Sequence, residues 1–67
     1  MNPKLQKAEK ALLDLLHKNT GGLTMPEILE KLKDGTAEAE LRAAVWTLRA
    51  EGAVDFDDGK LREVQTA

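Results

Sequence analysis

The stretch LRAEGAVDFDDGKLREV, residues 48–64, decides the fold of this 67-residue chain. Up to Gly52 the apolar residues recur at helical spacing, and beyond it they alternate with charged residues, which is the period of a strand. Asp58-Gly59 stands between two such alternating runs, and this dipeptide is a strong signal for a two-residue type I′ turn. The stretch therefore predicts a helix that ends near Gly52 and a β-hairpin over about 53–64.

The residues that flank the turn predict the register of the hairpin. A two-residue loop makes three facing pairs, namely Phe56 with Leu61, Asp57 with Lys60, and Asp55 with Arg62. One apolar pair and two pairs of opposite charge arise from a single register, and pairs of this kind stabilise a sheet. We therefore expect ion pairs between the facing charged residues of the two strands.

Working backwards, the segment before this helix predicts a second helix over about 25–33. Thr24 and Glu27 have the spacing of a capping box, in which each side chain bonds to the backbone of the other residue. Leu23, just before the cap, is expected to be briefly extended and to pair with the edge of the hairpin. The third helix is predicted over about 37–51, and Thr36 is its expected cap. Its inward residues are expected to be Ala37, Leu41, Ala44, Val45 and Leu48.

The N-terminal segment predicts the first helix over about 3–18, with Asn2 as its N-cap. One apolar stripe runs along it at helical spacing, made of Leu5, Ala8, Leu12, Leu15 and Leu16. Gly21-Gly22 supplies the positive φ that ends such a helix. Residues 65–67 are expected to form a short frayed tail. With no linker or repeat, residues 1–67 make one domain.

Composition limits the classes of function. The chain has no cysteine and one histidine, His17, so we expect no metal site and no cofactor. No residue pair suggests a nucleophile with its base, and we expect no enzyme activity. No run approaches the ~20 apolar residues of a membrane helix, and the first residues do not resemble a signal peptide. A cytoplasmic protein that does not bind membranes is the expectation.

The order of elements resembles a winged helix-turn-helix domain. Residues 23–64, with LTMPEILEKL, ELRAAVWTLRAEGAV and a hairpin, are similar to MarR-type winged-helix regulators, above all in the phrase Leu48-Arg49-Ala50-Glu51-Gly52-Ala53-Val54. The resemblance implies a mainly α fold, a three-helix bundle with a small β-hairpin as its wing. It also implies a transcriptional regulator whose third helix enters the major groove of double-stranded DNA while the wing contacts the backbone.

Carried over to this chain, the resemblance implies a DNA site of seven residues, namely Thr36, Ala39, Arg42, Ala43, Trp46, Lys60 and Arg62. The charge pattern departs from that of a DNA reader, because residues 24–67 carry six bases against ten acids and phosphates are bound mainly by Lys and Arg. Glu38, four residues before Arg42, can pair with it, and Asp55 and Asp57 can pair with the wing cations.

Trp46 supports a second hypothesis. At ~100° per residue it points away from the inward arc of the third helix, on the same side as Ala39, Ala43 and Ala50. Exposed apolar patches of this kind are typical of contact with another protein, including a second copy of the chain. The indole can instead fold back over the core or touch DNA. The sequence therefore leaves DNA binding and a protein-interaction or dimerisation role both open.

Overall fold

Residues 3–64 are described by a computed structural model, and within them three helices precede one antiparallel hairpin. The elements are α1 (Pro3–Lys18), α2 (Met25–Leu32), α3 (Glu38–Ala50), β1 (Val54–Asp57) and β2 (Lys60–Glu63). The arrangement is mainly helical with a small hairpin, which confirms the predicted winged-helix-like fold class. The predicted N-cap Asn2 and the predicted tail, residues 65–67, lie outside the described residues.

A single apolar core joins the helices to the hairpin. Its members are Ala8, Leu12, Leu16, Leu23, Ile28, Ala44, Val45, Leu48, Val54 and Leu61. Each of the larger of these side chains contributes roughly 1.5–3 kcal/mol when it leaves water. Helices α1 and α3 share the most extensive interface between elements. The core therefore covers one side of α3 and leaves its opposite side to solvent.

Helix α2 begins as the sequence predicts. The Thr24 backbone N–H donates to Glu27 Oε1 at 2.9 Å, and the Glu27 N–H donates to Thr24 Oγ1 at 3.4 Å, which completes the capping box. Leu23 forms an antiparallel bridge with Leu61, with N–H to O distances of 3.0 and 2.7 Å. The bridge connects the start of α2 to β2, which lies between Leu23 and β1.

Helix α3 begins one residue later than predicted, and Thr36 does not cap it. The N-cap is Ala37, which has extended backbone angles and no side-chain hydrogen bond to the helix. The Thr36 N–H donates to the Leu32 carbonyl at 3.0 Å, so Thr36 belongs to the turn that closes α2. The sequence predicts that Ala37 faces the core, and this prediction is wrong. Ala37 is exposed at the cap.

Gly52 ends α3 and directs the chain into β1. Its φ is +79°, its N–H donates to the Arg49 carbonyl at 3.0 Å, and the Ala53 N–H donates to the Leu48 carbonyl at 2.9 Å. These two bonds form a Schellman motif, which requires a left-handed residue at this position. The helix and the hairpin are therefore joined by a turn with defined geometry.

The predicted hairpin register is confirmed in all three facing pairs. Asp58 and Gly59 both have positive φ, +56° and +78°, as a type I′ turn requires. The predicted ion pairs are wrong, however. Arg62 Nη1 lies 2.7 Å from Asp57 Oδ2, on the diagonal, while Asp55 Oδ1 accepts from the Phe56 N–H at 2.8 Å and faces Arg49 of α3. The long Arg62 side chain reaches past the facing Asp55 to the diagonal Asp57, and Asp55 is contacted by Arg49 from the helix instead.

Candidate functional site

The solvent-facing side of α3 includes an apolar strip. We define the α3 outer face as Ala39, Ala43, Trp46 and Ala50, all of which are exposed. Trp46 keeps 71% of its surface accessible, the largest exposed fraction among the bulky apolar side chains of residues 3–64. The exposure confirms the outward orientation deduced from helical spacing. It also rules out the interpretation that the indole covers the core.

Arg49 joins Trp46 to the hairpin. Its guanidinium carbon lies 5.7 Å from the Trp46 ring centroid and 5.2 Å from the Phe56 ring centroid, both within cation–π range. Its Nε also lies 3.6 Å from Asp55 Oδ1. One cation therefore contacts both rings and connects the exposed indole of α3 with the wing.

A groove runs between Trp46 and the wing, with a volume of about 170 Å³. We call it the Trp46 groove; it is lined by Met25, Arg42, Val45, Trp46, Arg49 and Phe56. Four of these six side chains are apolar, and the two others are arginines on one flank of α3. Small-molecule and peptide sites commonly combine an apolar lining with a few polar groups that fix orientation.

A second shallow groove shares Trp46 and Arg49 with the Trp46 groove. Its lining is mixed, with Ala50, Val54 and the 43% exposed Val64 beside Arg49 and Asp55. Sequence reasoning did not identify Met25, Phe56 or Val64 as parts of this surface. The alternation of the strands shows which residues share a face, but not which helix residues they meet.

Carboxylates of the same chain neutralise its three arginines. Besides the Arg49–Asp55 contact, Arg42 Nε lies 2.8 Å from Glu38 Oε2, and Arg62 is bound to Asp57. The Arg42–Glu38 pair confirms the alternative that helical spacing predicted. All these groups are solvent-exposed, so each pair contributes only ~0–1 kcal/mol to stability. Their main consequence is a surface that carries little net positive charge.

The seven residues of the predicted DNA site do not form one cluster. Arg42 and Trp46 share the Trp46 groove, and Ala39 and Ala43 lie beside them on the α3 outer face. The other three residues lie apart from both the groove and the α3 outer face. Lys60 and Arg62 are exposed on β2. Thr36 is half-buried at the α2–α3 turn, in a shallow depression whose lining includes Lys4 and Lys7.

Two further observations bear on other classes of site. No group of three or more His, Cys, Asp or Glu side chains that could hold a metal ion occurs within residues 3–64. His17 has an acidic neighbour that the sequence did not indicate, because its Nδ1 lies 3.5 Å from Glu63 Oε1 across the α1–β2 contact. None of the helices in the described part of the chain is long and apolar enough to span a lipid bilayer.

The chain matches no family model, and a comparison with curated proteins found no match.

Proposed function

We propose that this chain is a winged-helix module that binds another protein through the α3 outer face and the adjoining Trp46 groove. The observation that carries the proposal is the exposure of Trp46, 71% of whose surface is open to solvent among alanines. Burying an aromatic side chain of this size contributes about 3 kcal/mol before the costs of association. Tryptophan and arginine are also the side chains most enriched at binding hot spots.

The electrostatics of the surface support a protein partner over a nucleic acid. Binding to DNA depends strongly on Lys and Arg that neutralise phosphates. Here the arginines already face Glu38, Asp55 and Asp57, and Asp58 adds a further acid at the wing tip. A phosphate backbone would have to displace these carboxylates from the arginines, and the displaced carboxylates would still repel the phosphates from a short distance. An apolar protein surface meets no such opposition.

Double-stranded DNA is the second candidate ligand, as the MarR-type resemblance implies for a cytoplasmic regulator. It is favoured by the outward orientation of α3 beside the hairpin, with Lys60 and Arg62 exposed on β2. Thr36, Ala39, Arg42, Ala43 and Trp46 would then face the major groove. A homodimer formed through α1 would double the number of cations available to the duplex, whereas a homodimer through the α3 outer face would bury the helix that reads the groove.

The two candidates are separated by parallel binding experiments on the whole chain. A random peptide library displayed on phage is selected against the wild-type chain, and the affinity of each recovered peptide is then measured for wild type and for Trp46→Ala. Binding of a labelled DNA duplex is titrated at low and moderate salt. We expect selected peptides that bind the wild type about thirtyfold more tightly than Trp46→Ala, as for a hot-spot residue.

The double variant Lys60→Ala/Arg62→Ala is the matched control, because it removes wing cations without touching the Trp46 groove. Peptide binding is expected to survive in it. The proposal is wrong if no peptide depends on Trp46 while duplex binding is strong at low salt, falls steeply with added salt, and disappears in the control variant.

A further inference from the structure

The α3 outer face has the spacing of a coiled-coil seam. Its four members follow one another from Ala39 to Ala50 at intervals of four, three and four residues. This is the heptad spacing of the core positions in a two-stranded coiled coil. Leu41 and Leu48 are seven residues apart on the opposite side of the helix and are buried in the chain's own core. The helix therefore carries one apolar side for its own fold and a second one that is exposed.

An antiparallel pair of α3 helices would place large residues against small ones across this seam. When a two-fold axis passes midway between Ala43 and Trp46, Ala43 of each copy lies level with Trp46 of the other. Ala39 then lies level with Ala50. Facing positions that alternate large and small side chains interdigitate well. A parallel pair would place the two indoles against each other, so the sizes of the side chains favour the antiparallel arrangement.

The charged residues beside the seam are complementary in the same arrangement. Glu38 and Arg42 are paired at 2.8 Å, and Arg49, on the same flank of α3, lies 3.6 Å from Asp55. In the antiparallel register, Arg49 of the second copy lies between Glu38 and Arg42, about 3 Å along the axis from each. Each half of the seam then brings two arginines and two carboxylates together, and their charges cancel.

The neutrality of this flank distinguishes a second copy from a charged ligand. Because Arg42 and Arg49 each face a carboxylate of their own chain, the surface has no excess charge with which to select an acidic or a basic partner. A second copy also has no excess charge here. It supplies an apolar strip with the same heptad spacing and the charges that complete each cluster.

We infer that two copies of this chain associate through their α3 outer faces as an antiparallel pair. This inference rests on the proposed function and names a second copy as the protein partner. The pair buries Trp46 of each copy against Ala43 of the other, with a neutral cluster beside each half of the seam. Two helices of 13 residues form a small interface, so we expect a dissociation constant on the order of 10–100 µM.

The first test is the mass of the whole chain in solution as a function of its concentration. Sedimentation equilibrium from about 5 µM to about 500 µM should show the mass rising from 7.4 kDa towards twice that value. Trp46 is the only tryptophan, and its emission should shift to shorter wavelength over the same range as the indole is buried. Trp46→Ala is expected to weaken association by about tenfold or more.

Reversed charges test the antiparallel register. Glu38→Lys would give each half of the seam three positive charges and one negative, and Arg49→Glu would give the opposite excess. Each variant should therefore self-associate about tenfold more weakly than wild type. A mixture of the two restores two charges of each sign at both halves. The mixed pair, followed by fluorescence polarisation of one labelled variant, should return to within about threefold of the wild-type affinity.

Two charge reversals away from the seam are the matched controls. Glu30→Lys changes a member of an exposed ion pair with Lys33, as Glu38→Lys does in α3. Arg62→Glu changes an exposed arginine on β2 that is paired with Asp57. Both controls should associate as wild type does. Circular dichroism of every variant measures whether the fold is retained, and rescue in the mixture is not expected from a folding defect in either partner.

The outcomes separate this inference from the proposed function. A chain that stays monomeric over the whole concentration range would overturn the inference. Trp46-dependent binding of a selected peptide would then still support the proposed function and identify a different protein as the occupant. Self-association that is unchanged in Trp46→Ala would place the contact on another face of the molecule. A mixture of the charge variants that associates no better than either one alone would contradict the antiparallel register.

Discussion

The Arg49 guanidinium lies 5.7 Å from the centroid of the Trp46 ring, one helical turn earlier on α3. The same guanidinium lies against Phe56 of the wing. An exposed tryptophan would ordinarily sample several rotamers and lose that freedom on binding. A cation–π contact of about 0.5–1 kcal/mol favours this rotamer of the exposed indole over the others, so less entropy is lost when the surface is covered.

Replacement of Trp46 separates binding from stability. Because the side chain is 71% exposed, we expect Trp46→Ala to change the free energy of unfolding by no more than about 0.5 kcal/mol. Leu48→Ala, two residues later on the buried side of α3, should cost about 2–5 kcal/mol. Chemical denaturation followed by circular dichroism measures both. A large loss of stability in Trp46→Ala would mean that the indole supports the core.

Alanine substitutions at Gly22 and Gly52 test the left-handed turns on either side of the core, with Gly35 as a control. Gly22→Ala should destabilise most, because its φ is +91° and the new Cβ would lie 2.6 Å from Arg62 Cγ. Gly52→Ala meets no atom within 4 Å, so only its φ of +79° opposes it, at about 1 kcal/mol. Gly35 has neither constraint, and Gly35→Ala is the control. Thermal unfolding should rank the variants in that order; equal melting temperatures would contradict the left-handed turns.

The N-terminus of α3 can be strengthened. Its N-cap, Ala37, makes no side-chain hydrogen bond to the helix, and a serine there would supply one. We expect Ala37→Ser to stabilise the chain by about 0.5–1 kcal/mol in denaturant unfolding. Ala39→Ser, inside the helix and also exposed, should give no gain. Equal effects of the two substitutions would show that α3 does not begin at Glu38.

Acid should weaken the start of α2. The Thr24 backbone N–H donates to the Glu27 carboxylate and lowers its pKa below the usual 4.5, with a smaller contribution from the Thr24 hydroxyl. A pKa that is lowered by folding adds stability above the unfolded value, and this stability is lost as the pH falls through the folded pKa. Urea unfolding from pH 6 downward should therefore show a smaller loss below about pH 4.5 for Glu27→Gln than for wild type. Identical profiles would contradict the capping contact.

The parts of the fold that depend on neighbours in sequence were predictable. Asp58-Gly59 specifies a turn with two positive φ values, and the register of the hairpin follows from it. The helical period alone placed Trp46 outside the core. The cap of α3 was not predictable in the same way. Thr36 is a residue type that commonly caps helices, but its backbone N–H donates to the Leu32 carbonyl. Thr36 therefore belongs to the turn after α2, and the cap of α3 is the next residue.

The candidate site was only partly predictable, because its contacts join segments that are distant in sequence. Arg49, Asp55 and Phe56 meet only because the Gly52 turn sets the angle between α3 and the wing. Met25 reaches the same groove from the start of α2. No spacing rule connects these residues. Long flexible side chains also have several partners within reach, which is why the facing ion pairs of the hairpin were predicted wrongly.

The most direct test of the central claim is the affinity of a peptide selected on the wild-type chain for wild type and for Trp46→Ala, measured by fluorescence polarisation with matched melting curves. A partner-binding surface centred on Trp46 predicts about thirtyfold weaker binding by the variant, with unchanged stability. Equal affinity of the two folded chains for the peptide would contradict it.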